Sequence, residues 1–312
     1  MNTLICGSMA YDTIMVFSDH FKNHILPDQL HILNVAFLVP QMRREYGGCA
    51  GNIAYNLKLL GGNPLIMATV GDDFDPYAAR LDRLEIARTH IRHVPGTFTG
   101  QAFITTDLAD NQITAFHPGA MGFSERNHVR EARDVTLGIV SPDGRDGMIQ
   151  HAQQFAEAGI PFIFDPGQGM PMFSGEELLN FIDQATYVTV NDYEAKLLQD
   201  KTGKSLEDLA GRVKAFIMTL GGDGSAIYTD GKEIRIPGVK ATEVLDPTGC
   251  GDAYRAGLMH GIQKGWDWET TGRLASLIGA IKIAHRGGQN HIPSREELSA
   301  EFRRQFGYDI VL

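Results

Sequence analysis

Six short apolar runs, each bounded by turn residues, recur at 4–6, 65–70, 138–140, 161–164, 187–190 and 215–220. Segments of helical character lie between or beside them, at 50–60, 76–84, 148–158, 192–200 and 206–213. This alternation constrains the fold more than any other feature. Strands that alternate with helices predict a parallel sheet with helices on both faces, a three-layer α/β/α arrangement. Two stretches break the rhythm. Residues 12–44 lack clear helical periodicity, and 98–116 contain the alternating patches QAFITT and NQITAF, which predict an antiparallel pair. Both are expected to leave the main sheet and form a small β lid. No repeat or low-complexity linker divides the chain. Residues 1–312 therefore read as one domain, with lid segments at about 12–45 and 97–119.

Bulk charge narrows the partners. The chain carries a formal net charge of −10 over 312 residues, with 43% hydrophobic content. A nucleic-acid or anionic-membrane surface needs a basic face, so neither partner is expected. An anionic ligand would have to be held by local backbone dipoles and a metal ion. The three cysteines, Cys6, Cys49 and Cys250, form no C-x-x-C pair, and an odd count argues against a disulfide framework. The N-terminal MNTLICGSMAYD lacks the basic and long apolar regions of a signal peptide. No apolar run approaches the ~20 residues of a membrane span. A soluble cytoplasmic protein is the expectation.

The chemistry concentrates in DPTGCGDAYRAG, residues 246–257. Glycines and an Asp-Pro turn run into a helical pattern, with a carboxylate at the junction. A helix N-terminus leaves about four N–H groups without partners and carries roughly half a positive charge. Gly249 and Gly251 allow the backbone close to a ligand, so the array suits a phosphate or a phosphoryl group in transfer. Asp252 beside such a site would repel a resting phosphate. It makes sense as the acceptor of a proton from an attacking hydroxyl. Taken alone, the stretch is equally compatible with a tight loop and a favourable first-turn acid. There is no G-x-x-x-x-G-K-[ST], no G-x-G-x-x-G after the first strand and no H-E-x-x-H, so other nucleotide and zinc chemistries lack support.

Three further motifs stand in order along the chain. They are GGCAGNIA at 47–54 (G-G-x-x-x-N-x-A), NDYE at 191–194 (N-x-x-E) and TLGGDG at 219–224 (T-x-G-x-x-G). With 246–257 they closely resemble the signatures of the PfkB, or ribokinase-like, family of sugar and nucleoside kinases, across almost the whole chain. The resemblance implies a ribokinase-like fold and transfer of the ATP γ-phosphoryl group to a hydroxyl. It implies Asp252 as base and the Gly249, Cys250 and Gly251 amides as anion hole. Cys250 would contribute its backbone N–H. Asp12, Gly47, Gly48 and Asn52 would hold the acceptor sugar, and Asn191, Thr219, Gly221 and Gly224 the nucleotide. Glu194 would bind Mg²⁺ through water, in keeping with the preference of Mg²⁺ for few carboxylates and many waters. Asn191 and Glu194 are also spaced as a helix-capping pair. Asp246 and Thr248 resemble the monovalent-cation site, for K⁺, of some members.

The acceptor is read from other stretches. ILPDQLHILNVAFLVPQMRREYGGCAGN, NQITAFHPGAM, FDPGQGMP and the DPTGCGD variant resemble bacterial nucleoside kinases of this family, which act on adenosine, inosine or guanosine. Phe37, Phe116 and Met121 could line a flat slot for a purine or simply pack the lid. Gln168 both donates and accepts, and could read a purine edge. His117 reads as a lid contact or surface residue. A sugar kinase acting on ribose, fructose or a phosphosugar is the alternative. A phosphosugar would need a cationic grip, for which Arg43 and Arg44 form the only close basic pair in the lid. A non-catalytic nucleoside sensor is opposed by the intact Asp252, Asn191 and Glu194. Exposed lid strands would allow a homodimer.

Overall fold

A computed structural model describes residues 1–25, 34–109 and 111–312. Its larger sheet has nine strands in the order β13-β12-β11-β10-β9-β8-β1-β4-β5. These are β1 (Asn2–Cys6), β4 (Pro64–Val70), β5 (Ile91–His93), β8 (Val135–Val140), β9 (Phe162–Phe164), β10 (Tyr187–Asn191), β11 (Ala215–Thr219), β12 (Gly224–Thr229) and β13 (Lys232–Pro237). The strands from β5 to β11 are parallel, while β12 and β13 add on antiparallel at one edge. All six apolar runs fall in parallel strands of this sheet. Edge strands β5 and β13 have too few buried residues in line to announce themselves as apolar runs, whereas β12 is buried over Gly224–Ile227 but opens on Gly224 and Ser225, which carry no apolar signal.

The helices are α1 (Cys49–Leu59), α2 (Asp75–Arg83), α3 (Arg145–Glu157), α4 (Gly175–Gln184), α5 (Asp192–Thr202), α6 (Leu206–Ala210), α7 (Cys250–Lys264), α8 (Trp268–Ile283) and α9 (Arg295–Phe306). Side chains alternate across a strand, so each parallel strand feeds two layers. Ile5, Ile163, Tyr187, Ala215 and Ile217 pack with α1, α2, α7 and α8. Their neighbours Leu4, Cys6, Phe162, Phe164, Val188 and Phe216 pack with α3, α4, α5 and Leu209 of α6. Each such large side chain contributes roughly 1.5–3 kcal/mol on burial, so both faces must be covered at once. α9 closes a third cluster over α7 and α8 through Leu298 and Phe302. The segment at 206–213 is helical only to Ala210.

A second sheet of four strands has the order β3-β2-β6-β7, with β2 (Ala10–Val16), β3 (Gln41–Gly47), β6 (Gly100–Thr106) and β7 (Gln112–His117). The two stretches that break the helical rhythm do form this lid, and β6 and β7 pair antiparallel as their alternation predicts. Part of the lid segment and of the nucleoside-kinase-like stretch, residues 26–33, lies outside the described residues.

The strand order positions the site. From β1 the chain moves to β4 and β5 on one side, then returns to β8 and builds outward on the other. In an open parallel sheet, ligands bind beyond the carboxyl ends of the strands where the order reverses, here between β1 and β8. The lid strand β2 rises from the end of β1. Among the described residues, no helix is long and apolar enough to cross a membrane.

Candidate active site

α7 begins at this crevice. Its N-cap Gly249 is left-handed (φ 76°), and a Cβ there would lie 3.1 Å from the Gly288 Cα and 3.3 Å from the Asn52 Nδ2. A side chain would be strained twice, by its φ and by crowding. The Cys250 N–H donates to the Pro247 carbonyl at 3.1 Å. This bond engages the amide that the sequence reading assigned, with those of Gly249 and Gly251, to an anion hole. The turn already takes the Cys250 amide, whereas Gly251 and Asp252, also in the first turn, have no intrahelical acceptor for theirs. Gly251 is exposed and Asp252 half-buried, so the first turn faces the crevice.

The Asp252 carboxylate is oriented from α1. Asn52, itself buried, donates from Nδ2 to Asp252 Oδ2 at 2.8 Å. The Asn52 Oδ1 accepts from Gln289 Nε2 at 3.1 Å, Gln289 also donates to the Tyr77 hydroxyl at 2.6 Å, and Tyr77 donates to the Gly47 carbonyl at 2.9 Å. This relay fixes which end of the Asn52 amide faces the carboxylate. Burial pushes the Asp252 pKa above the ordinary carboxylate range, against the nearby Arg255 charge, the Asn52 hydrogen bond and the Cys49 thiol. The helix dipole alone would lower it; here desolvation wins.

Asp12 comes to the same place from the lid. A Cβ on Gly47 would lie 2.5 Å from Asp12 Oδ2, so only glycine leaves that carboxylate its room. Gly48 has φ 84°, and a Cβ would meet the Ser8 carbonyl at 2.5 Å. Ser8, at the end of β1, in turn accepts from the Cys49 N–H through Oγ (3.1 Å) and from the Ala50 N–H through its carbonyl (3.0 Å). Glycines 47 and 48 thus seat α1 directly against the β1 crevice. The Asp12 pKa is pushed up to about 6, first by burial and then by the charges of Asp252, Asp246 and Glu45.

On the far side, β10 and β11 end in register, with Asn191 opposite Thr219. Asn191 and Glu194 form a capping box at α5: the Asn191 Oδ1 accepts from the Glu194 N–H at 2.7 Å, and Glu194 Oε2 accepts from the Asn191 N–H at 2.8 Å. Thr219 leads into the turn of Gly221 (φ 58°) and Gly224 (φ 96°), where Gly221 is exposed. Arg255 joins the two halves of the crevice. Buried on α7, its Nη2 donates to Asp165 Oδ1 at 2.7 Å at the end of β9. Burial opposes its charge, but Asp165 first, then Asp252 and Glu194, hold it firmly protonated.

Other expected residues sit apart. Gln168 is exposed in a short turn after β9, with no hydrogen bond described. Phe37 packs against Phe17 and Phe21 at centroid distances of 4.8 and 5.0 Å, as lid filling. Met121 is buried beneath Gly100, and His117 is exposed on β7. Phe116 is different. It pairs with Ala102, which pairs with Asp12, so the three share one row and one face of the lid sheet. Arg44 is committed to Asp73 and stacks on Tyr11 at 3.6 Å, while Arg43 lies 3.4 Å from Glu45. Asp246 binds the Thr248 N–H through Oδ1 (2.9 Å) and the Gly287 N–H through Oδ2 (2.8 Å). Sequence reading missed Arg255, Asp165, Gln289 and Lys282. The signal for Lys282 is a lysine inside an otherwise apolar helical run, SLIGAIKIA.

Comparison with known proteins follows the same lines. The pfkB family carbohydrate kinases match residues 11–295. The nucleoside kinase of Burkholderia thailandensis, solved in complex with inosine, is 56% identical, with a TM-score of 0.90 over 98% of this chain and 99% of that one. The same protein in complex with ADP-inosine gives 57% identity and a TM-score of 0.88, over 98% and 97% of the two chains. The nucleoside kinase of Methanocaldococcus jannaschii is 32% identical over 267 residues, 85% of this chain and 88% of that protein. With its ribokinase-like α/β fold, its antiparallel-edged parallel sheet and its β lid, the chain belongs to the pfkB family of carbohydrate kinases, phosphotransferases that act on an alcohol.

Proposed function

We propose that the protein transfers the γ-phosphoryl group of ATP to the 5′-hydroxyl of a purine nucleoside, adenosine, inosine or guanosine. One observation carries the reading: a carboxylate, Asp252, held by Asn52 at 2.8 Å in the first turn of a helix that opens on the β1–β8 crevice. Asp252 accepts the hydroxyl proton as the phosphoryl group moves. A raised pKa makes it a better base than an exposed aspartate once ionised. The Gly249 and Gly251 positions, together with the Asp252 amide, take up charge that develops on the phosphoryl oxygens. Asp12 and Asn52 hold the ribose, with Gly47 and Gly48 giving it room.

The row Asp12–Ala102–Phe116 supports a nucleoside over a free sugar. Two strand spacings, about 10 Å, separate a hydroxyl acceptor from an aromatic face across a small residue. A ribose at Asp12 would project its base toward Phe116. Gln168 is the candidate for reading the purine edge. The commitment of Arg43 to Glu45 and of Arg44 to Asp73 leaves a phosphosugar without a cationic grip in the lid. The inosine complexes of the Burkholderia relative support the same acceptor class.

Asn191, Thr219, Gly221 and Gly224 form the nucleotide side. Glu194 fits Mg²⁺ as a single half-buried carboxylate whose capping bond uses only Oε2; the ion, when bound, neutralises phosphate charge. We read the chain as one kinase domain at work in the cytoplasm, with 12–45 and 97–119 as its lid. The lid also supplies a dimer surface: Met42, Phe103 and Ile113, exposed by 69%, 40% and 44%, share the sheet face opposite Asp12. The test of function is a panel of adenosine, inosine, guanosine, ribose, fructose and fructose phosphates with ATP and Mg²⁺. Turnover on at least one purine nucleoside, at the highest kcat/KM of the panel, is expected. Preference for a sugar overturns the reading.

A further inference from the structure

Lys282 lies in the last turn of α8 and is wholly buried, at 0% exposure. A buried lysine is rare, because desolvating an ammonium costs several kcal/mol unless it is compensated. Here the compensation comes from the main chain. Its Nζ donates to the Asp246 carbonyl at 2.7 Å and to the His285 carbonyl at 3.0 Å. The negative end of the α8 dipole adds to this. The acid beside it, Asp246, is turned away, with its oxygens on the Thr248 and Gly287 amides.

The two carbonyls belong to the two turns that frame the catalytic centre. From Asp246 the chain runs through Pro247 and Thr248 into Gly249 and α7. The Leu245 and Asp246 N–H groups both donate to the Ile283 carbonyl, so this turn is tied to the end of α8. From His285 the chain runs to Gly288, which crowds Gly249, and to Gln289, which orients Asn52 on Asp252. A cation held by two main-chain oxygens, one from each turn, does here what a bound monovalent ion would do between the same carbonyls. With both Asp246 oxygens on amides and its carbonyl on Nζ, the Asp246–Thr248 pair does not fit a potassium ion.

We propose that Lys282 is a built-in cation and positioning residue, which clamps the 246–249 turn to the 285–289 turn so that the anion-hole helix keeps its place without a monovalent ion. Its charge also favours the ionised forms of Asp252 and Asp246.

The test compares wild type with Lys282→Met, which removes the charge but keeps most of the length, and Lys282→Arg. Melting temperature is measured in potassium, ammonium and choline chloride at equal ionic strength. Kinase rates are measured in the same salts. Wild type is expected to show the same melting temperature and, within about twofold, the same kcat in all three. The Met variant is expected to lose about tenfold or more in kcat, a barrier change of ~1.4 kcal/mol, with the nucleoside KM nearly unchanged. Potassium or ammonium, but not choline, should raise its melting temperature and recover part of the rate; the Arg variant should fall between the two. Potassium activation or stabilisation of wild type overturns the proposal, as does a Met variant with wild-type kcat or with a loss no ion recovers. Should the Met variant fail to fold, the wild-type response to potassium alone decides. The rate arm rests on the kinase reading above, whereas the melting arm does not. A protein that phosphorylates no nucleoside yet shows the ion-specific shift keeps the lysine assignment and loses only that reading.

Discussion

Asp12 carries two opposed demands. The proposed role, accepting from ribose hydroxyls, requires its ionised form, yet burial and three neighbouring acids push its pKa to about 6. Below about pH 4 it is protonated in both folded and unfolded chains, and contributes no penalty. Between about 4 and 6 the folded chain holds the proton more tightly, so stability falls as pH rises, and above 6 the full penalty remains. Asp12→Asn should therefore raise stability at pH 7–8 by on the order of 1–3 kcal/mol, read by chemical denaturation, with the gain fading toward pH 4. The same substitution should raise the nucleoside KM at pH 7–8. In wild type, kcat/KM should fall as pH drops through about 6, on an acid limb shared with Asp252 because the two charges interact. A stability gain that does not change with pH would contradict this account.

At the scale of elements, Asn191–Glu194 shows what sequence can and cannot separate. A capping pair and a magnesium ligand require the same residues at the same spacing, and the structure has the capping box in place. Glu194→Gln keeps a cap-competent side chain and removes the charge. It should change stability by less than about 0.5 kcal/mol while raising the magnesium concentration needed for half-maximal rate several-fold. A large stability loss with an unchanged magnesium requirement would leave Glu194 as a cap alone. The parallel strands were legible because burial on both faces makes them continuous apolar runs. The helix start at 249–250 was legible because glycine and a helix start are local signals. Lys282, Arg255 with Asp165, and Gln289 were not, because each acts on a partner 36, 90 or 237 positions away, where no local pattern reaches. Sequence also does not reveal that the Cys250 N–H closes onto Pro247.

For the whole molecule, the lid sheet has two unlike faces. The Asp12 face covers the crevice, and the opposite face leaves Met42, Phe103 and Ile113 in water. Exposed apolar strands are pairing surfaces unless they are protected. The protein should sediment as a dimer, and Phe103→Asp with Ile113→Asp should yield a folded monomer. A wild type that stays monomeric at all concentrations would remove the dimer from the account. The relation of lid, crevice and helix start has meaning only if Asp252 performs the proton transfer. The direct measurement is phosphoryl transfer from ATP to inosine by wild type and Asp252→Asn, with inosine binding followed by calorimetry on both. The account predicts retained binding within several-fold and a kcat lower by about 10²–10⁴. An Asn variant that turns over at the wild-type rate would contradict it.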